Sequence, residues 1–399
     1  MNGLNETPRA NRLHIAVFGR RNSGKSTLIN ALTGHETSVT SPVAGTTTDP
    51  VYKSMEISGI GPCVFIDTAG FDDEGELGAL RIARTQDAMD KTDIAVIVCS
   101  TEDFALESQW AETLRKKKCS VIPVINKTDL YDPVNLLAEK IEKVFGMKPV
   151  CVSALKKEGI DLLLEALRRA IPPDWENPDL TDGIAKKGDC ILLVMPQDIQ
   201  APKGRLILPQ VQVIRSLLDK GCIVTSVTAD QLEAGLASLK KAPDLIITDS
   251  QVFPLVWAKK PSASRLTSFS ILMARNKGDI RVFLEGAKAI DGLTEHSKVL
   301  IAEACTHAPL SEDIGREKIP RLLRKKTGQG LQIDMVSGPD FPENLSQYDL
   351  IIHCGACMFN RRYVLSRLEK AAAAGVPITN YGVALAKLSG ILEQISSIT

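Results

Sequence analysis

From Leu13 to about Ala170, short apolar runs rich in β-branched residues alternate with stretches whose apolar positions recur at helical spacing. Runs at His14–Gly19, Cys63–Gly70, Ile94–Ser100, Val121–Asp129 and Pro149–Ala154 read as strands. Stretches at Lys25–Thr33, around Ala79–Asp90, near Ser108–Lys117, near Val134–Phe145 and near Gly159–Ile171 read as helices. Such alternation predicts a mostly parallel sheet covered by helices on both faces. The segment Ile171–Asp179 is polar and rich in proline, and reads as a linker.

Two further segments repeat the alternation. From about Gly188 to Lys259 the pattern predicts strands at Cys190–Pro196, Cys222–Thr228 and Leu245–Asp249, with helices between them. From about Pro261 onward it predicts strands at Lys298–Ala304, Gln332–Ser337, Asp349–Gly355 and Val376–Gly382, again with helices between. The run Leu245-Ile-Ile-Thr-Asp resembles Leu350-Ile-Ile-His-Cys, and Leu192-Leu-Val-Met-Pro takes the place of Leu300-Ile-Ala-Glu-Ala. The two segments therefore read as repeats of one topology, with cysteine and histidine only in the second. The expected domains are 1–172, 173–260 and 261–399.

Composition narrows the setting. Lys plus Arg and Asp plus Glu number 48 each, so the net charge is zero. A general nucleic-acid or membrane-surface binder is normally basic, so neither partner is expected. Residues 1–12 are polar, and no apolar run approaches the ~20 residues of a membrane span, so a cytoplasmic location is expected. Nine cysteines, an odd number, argue against a disulfide framework in a reducing compartment. The first six are scattered in or beside apolar runs and read as small buried hydrophobes.

Chemistry enters at the first turn. Gly19-Arg-Arg-Asn22-Ser23-Gly24-Lys25-Ser26-Thr27 follows a strand and opens a helix, matching the phosphate-binding loop G-x-x-x-x-G-K-[ST]. Its backbone N–H groups would wrap phosphates, Lys25 would reach the β and γ oxygens, and Ser26 would bind Mg²⁺. Thr47 sits where a first switch belongs and would be a second Mg²⁺ ligand. Asp67 suits the magnesium shell, and the Gly70 N–H suits a γ-phosphate. In Asn126-Lys127-Thr-Asp129 the carboxylate can accept from guanine N1–H and N2–H, which selects GTP; Ser153 and Ala154 would close over the base. Five motifs in order define a P-loop G domain and a GTPase. They resemble the Era, EngA and TrmE group. Phe71 stands where Ras-like enzymes carry a water-orienting glutamine, so slow intrinsic hydrolysis is expected. Asn22 matches the position that helps hold K⁺ in potassium-stimulated relatives, and the resemblance implies K⁺ here.

The last three cysteines form a pattern of their own. Cys305-Thr-His307 and His353-Cys354-Gly-Ala-Cys357 follow strands, and in an open parallel sheet both emerge at the carboxyl edge. Soft thiolates there select zinc or an iron–sulfur cluster, and chemistry alone leaves these two equally open. With the G domain upstream, the pattern resembles the FeFe-hydrogenase maturation GTPases. That resemblance implies a 4Fe-4S cluster on Cys305, Cys354 and Cys357. It further implies a transient diiron precursor carrying CO and cyanide, two radical-SAM maturases and apo FeFe-hydrogenase as partners, and a homodimer formed through the middle domain. His307 and His353 are candidate labile or neighbouring ligands. In strand geometry, period-2 alternation points His353 away from Cys354. The expected fold is α/β: a G domain with a parallel sheet, then two smaller Rossmann-like domains. The expected function is a GTPase that scaffolds and carries a metallocluster. The alternatives are a zinc-stabilised regulatory GTPase of RNA or ribosome maturation, and a redox enzyme; only three motif cysteines disfavour the latter.

Overall fold

The computed structural model describes residues 7–34, 50–70, 84–130, 134–173, 175, 179–196, 206–304, 314–338, 340–357 and 359–395. The chain divides into two compact units, Met1–Glu176 and Asn177–Thr399.

The first unit is built on six strands: β1 (Leu13–Gly19), β2 (Val51–Ile57), β3 (Gly61–Asp67), β4 (Ile94–Cys99), β5 (Ser120–Ile125) and β6 (Val150–Cys151). Their order is β2-β3-β1-β4-β5-β6. Every neighbouring pair is parallel except β2 and β3. All residues of β1 and β4 are buried, which is why both read as unbroken apolar runs. Alternate side chains feed two cores. Leu13, Ile15, Val17, Ile94, Val96 and Val98 pack on one face, and Ala16, Phe18, Ala95, Ile97 and Cys99 on the other. The antiparallel edge strand β2 was not expected. It is largely exposed and carries Lys53 and Glu56, so its apolar signal is weak; charge on an edge also discourages pairing with other chains.

The second unit holds two four-stranded parallel sheets. The first contains β7 (Cys190–Val194), β8 (Ile223–Val227), β9 (Leu245–Thr248) and β10 (Arg265–Ser268), ordered β10-β9-β7-β8. The second contains β11 (Lys298–Ala302), β12 (Gln332–Val336), β13 (Leu350–His353) and β14 (Ile378–Asn380), ordered β12-β11-β13-β14. Read from the second strand of each segment, the two orders are the same. The match reaches single bonds: Asp249 N donates to Val194 O after β9, and Cys354 N donates to Ala302 O after β13. The helix that follows the fourth strand of each sheet is capped alike, Ser268 accepting from Ile271 N and Asn380 from Val383 N. The repeat read from the sequence is thus a repeat of topology.

One boundary moves. Strand β10 lies beyond residue 260 yet pairs with β9, so the first sheet of this unit runs past the expected division. Its four residues are too short to show an alternation. The helix Ile280–Lys288 was also not expected; it lies against β14, where a Cβ at Gly286 would overlap the Ile378 carbonyl. Side chains from both sheets, including Leu192, Ile246, Leu300 and Ile351, share one core with Ile271 and Phe283 of the helices between them. No described helix is long and apolar enough to cross a membrane.

Candidate functional site

Parallel strands bring the nucleotide motifs to one edge of the first sheet. Strand β1 ends at Gly19, and the helix Lys25–Thr33 opens after the loop with Gly24 as its N-cap. Gly24 has φ +88°, where a side chain is strained, and provides no side-chain cap. No side-chain cap at Gly24 covers the positive end of the helix, which suits an anion there. Ser26 and Thr27 stand exposed on that turn. Lys25 is buried and curls back over the loop, its Nζ donating to Gly19 O (3.1 Å) and Arg20 O (2.9 Å). Asp67 closes β3. Burial raises its carboxyl, while a hydrogen bond from Ser26 and the Lys25 charge oppose that. The two described magnesium candidates thus touch. Thr68 Oγ1 donates to Val17 O (2.7 Å), which anchors the turn leading to Gly70.

The base-reading loop is tied to the phosphate loop. Asn126 Nδ2 donates to Ser23 O (3.0 Å) and Oδ1 accepts from Ala154 N (3.1 Å). Lys127 Nζ donates to Asn22 O (2.5 Å), and both residues have positive φ. Ser153 Oγ donates to Asp129 Oδ1 (2.6 Å), which holds that carboxyl below the usual range and keeps it an acceptor. Sequence reasoning missed Arg20, whose guanidinium bonds the fully buried Glu107 (3.0 Å) and Asp103 (3.1 Å) and so braces the phosphate loop. Thr47 and Phe71 lie outside the described residues.

At the second sheet's carboxyl edge, Cys354 follows β13 and its Sγ accepts from Ala304 N (3.0 Å) and Ala356 N (3.4 Å). Ala304, whose N–H meets that thiol, directly precedes Cys305 in the chain. Cys305 and His307 lie outside the described residues, and among the described residues no three His, Cys, Asp or Glu side chains converge to hold a metal. The donor set nevertheless fits a thiolate-bound group: burial raises the Cys354 thiol, and two N–H groups pull it back toward thiolate. Ala356 has φ +45°, so the turn between Cys354 and Cys357 is held in a left-handed conformation.

His353 is buried and fully engaged. Its Nδ1 meets Cys354 O (2.6 Å) and its Nε2 meets Arg367 Nη1 (3.0 Å). A carbonyl only accepts and a guanidinium only donates, so the ring is neutral with its proton on Nδ1. Burial, then the Arg367 charge, hold its pKa down at about 3. Arg367 also donates to Gly338 O (2.6 Å) and lies over the Phe341 and Tyr363 rings. Glu303 is paired with Arg316 (3.1 Å) and accepts from Ser337 Oγ (3.2 Å). Sequence reasoning missed Arg367 and the buried Lys277. Arg367 had a readable signal, a cation on the helical face of Tyr363, Val364, Leu368 and Ala371.

Known proteins share these parts. Residues 14–127 match the model of the 50S ribosome-binding GTPases, residues 180–278 the hydrogen maturase F dimerization domain, and residues 281–398 the hydrogen maturase F tetramerization domain. The tRNA modification GTPase MnmE of Natranaerobius thermophilus is 35% identical over 162 residues, 40% of this chain and 34% of that one. GTPase Der of Wolinella succinogenes is 37% identical over 200 residues, 46% of this chain and 42% of that one. Among solved structures, the FeoB G-domain of Methanococcus jannaschii is 25% identical with a TM-score of 0.31, covering 40% of this chain and 97% of its own. The chain thus spans between about a third and two fifths of the length of these curated relatives. The two maturase matches, one following the other, take in more than half of the chain. With both of them behind a GTPase G domain, the chain belongs to the hydrogen maturase F family.

Proposed function

We propose that the chain hydrolyses GTP in its first unit and holds a 4Fe-4S cluster on Cys305, Cys354 and Cys357 of its second. There it carries the diiron precursor of the FeFe-hydrogenase site and delivers it to apo-hydrogenase. The observation that carries this reading is the Cys354 thiol, met by the Ala304 and Ala356 N–H groups beside the chain position of Cys305, in a segment of the maturase family.

In the first unit, Lys25 and the N–H groups opening the helix Lys25–Thr33 bind the phosphates. Asp129, aligned by Ser153, accepts from guanine. Ser26, Thr47 and Asp67 would hold Mg²⁺, which neutralises charge on the β and γ oxygens. Asn22 would help hold K⁺. In the second unit, Cys354 and Cys357 present thiols from one turn. A bound cluster supplies a redox-active centre with one iron not held by cysteine. His353 orients the strand end, since both ring nitrogens are engaged; His307 is the better candidate for an exchangeable ligand. The division of labour is a G domain, a dimerisation segment and a cluster segment, in a cytoplasmic homodimer visited by the two radical-SAM maturases.

The test is anaerobic reconstitution of the full chain with iron and sulfide. The proposal expects about four irons per chain, absorbance near 400 nm and a cubane EPR signal on reduction. One tightly held zinc and no cluster would replace it with a zinc-stabilised GTPase.

A further inference from the structure

Lys277 ends the helix Phe269–Lys277, inside the segment that matches the dimerization domain. Its side chain is buried, and Nζ donates to the carbonyls of Ala356 (3.4 Å), Cys357 (3.1 Å) and Phe359 (2.5 Å). All three carbonyls belong to the turn that carries Cys354 and Cys357, in the segment that matches the tetramerization domain. Burying an ammonium is costly, and three carbonyl dipoles of this turn are among the partners that offset the cost. The grip falls on both sides of a strained peptide: Ala356 has positive φ, its N–H points to Cys354 Sγ, and its carbonyl points to Lys277. In a trans peptide the carbonyl and the following N–H point opposite ways. Holding the Ala356 carbonyl on Lys277 therefore turns the Cys357 N–H away from the ammonium.

We propose that Lys277 is a positioning residue for the cysteine turn: its ammonium fixes the Ala356, Cys357 and Phe359 carbonyls and offsets the negative charge of a thiolate-bound cluster. The dimerization segment then helps build the metal site. The second half of this inference rests on the cluster reading above; the first half does not. A cluster gains a negative charge on one-electron reduction, and a buried cation beside it favours the reduced form. Removing the cation lowers the midpoint potential.

The experiment compares wild-type full chain with Lys277→Met, which keeps the apolar stem, and Lys277→Gln, which keeps two donors without the charge. In the metal-free proteins, amide hydrogen exchange at residues 354–359 is read by mass spectrometry. The expected result is exchange about tenfold faster or more in Lys277→Met, with the GTPase rate unchanged. After anaerobic reconstitution, the midpoint potential is read by dithionite titration followed by EPR. Both variants are expected to fall below wild type. Wild-type exchange and potential in Lys277→Met overturn the inference. If Lys277→Met does not fold, Lys277→Gln decides: a lowered potential supports the inference and an unchanged one overturns it. A wild-type chain that takes up no iron defeats the cluster reading, and the metal-free exchange comparison then judges the hold on the turn by itself.

Discussion

Replacing Asn126 with Ala is expected to weaken all guanine nucleotides together. Asn126 is 1% exposed and joins three chain segments: Nδ2 donates to Ser23 O in the phosphate loop, and Oδ1 accepts from Ala154 N beside the base. A net hydrogen bond is worth about 0.5–1.5 kcal/mol, and a buried partner left unmet costs about 1–3 kcal/mol. The Ser23 carbonyl and the Ala154 N–H would both lose their partner. Taking the lower part of those ranges gives about 2–4 kcal/mol for Asn126→Ala. The contact between Lys127 Nζ and Asn22 O survives the change, but it is exposed and can replace little of the loss. Because phosphate and base must be held at once, the cost falls on binding: at about 1.4 kcal/mol per tenfold, affinity drops by roughly two orders of magnitude. Isothermal titration with GDP and with a non-hydrolysable GTP analogue measures it. Both affinities should fall by the same factor, since both bonds of the brace run to the backbone of Ser23 and Ala154, loops that either nucleotide would need in place. A GDP affinity within about threefold of wild type, with an unchanged urea midpoint, would refute the bracing role.

Three further outcomes follow from the same geometry. Asp129→Asn removes a charged acceptor already aligned by Ser153, so GTP affinity should fall about a hundredfold while xanthosine triphosphate gains, read by competition titration. Gly24→Ala places a side chain at φ +88° and overlaps Asn126 Nδ2, so it should reproduce the Asn126→Ala loss and lower stability by at least about 1–2 kcal/mol in urea unfolding. Burial pushes the Cys63 and Cys99 thiols up to about 12, so neither should be alkylated by iodoacetamide at pH 8 in the native protein. Peptide mass spectrometry that finds either one labelled before unfolding contradicts the packing.

Much of the first unit could be read from the sequence because its chemistry is local. A phosphate loop needs glycines, a lysine and a hydroxyl within nine residues, and its strands are buried on both faces, so they spell out apolar runs. The repeat in the second unit was legible for the same reason, since Leu245-Ile-Ile-Thr and Leu350-Ile-Ile-His occupy matching central strands. Strands β2 and β10 escaped, one exposed at an edge and one only four residues long. The setting of the cysteine turn was harder still. Lys277 meets the turn across about eighty residues of chain, and Arg367 reaches His353 across a helix–strand contact. A buried cation carries no periodic signature of its partner, so only the tertiary fold shows what it holds.

The proposed function puts nucleotide chemistry and cluster binding in separate units of one chain. The most direct measurement pairs iron and sulfide content with GTPase rate in reconstituted wild type, Cys305→Ala, Cys354→Ala and Cys357→Ala. Each substitution is expected to abolish the reduced-cubane EPR signal and to leave the GTPase rate within about twofold of wild type. A cluster that survives loss of Cys354, or a GTPase that collapses with it, would contradict the account.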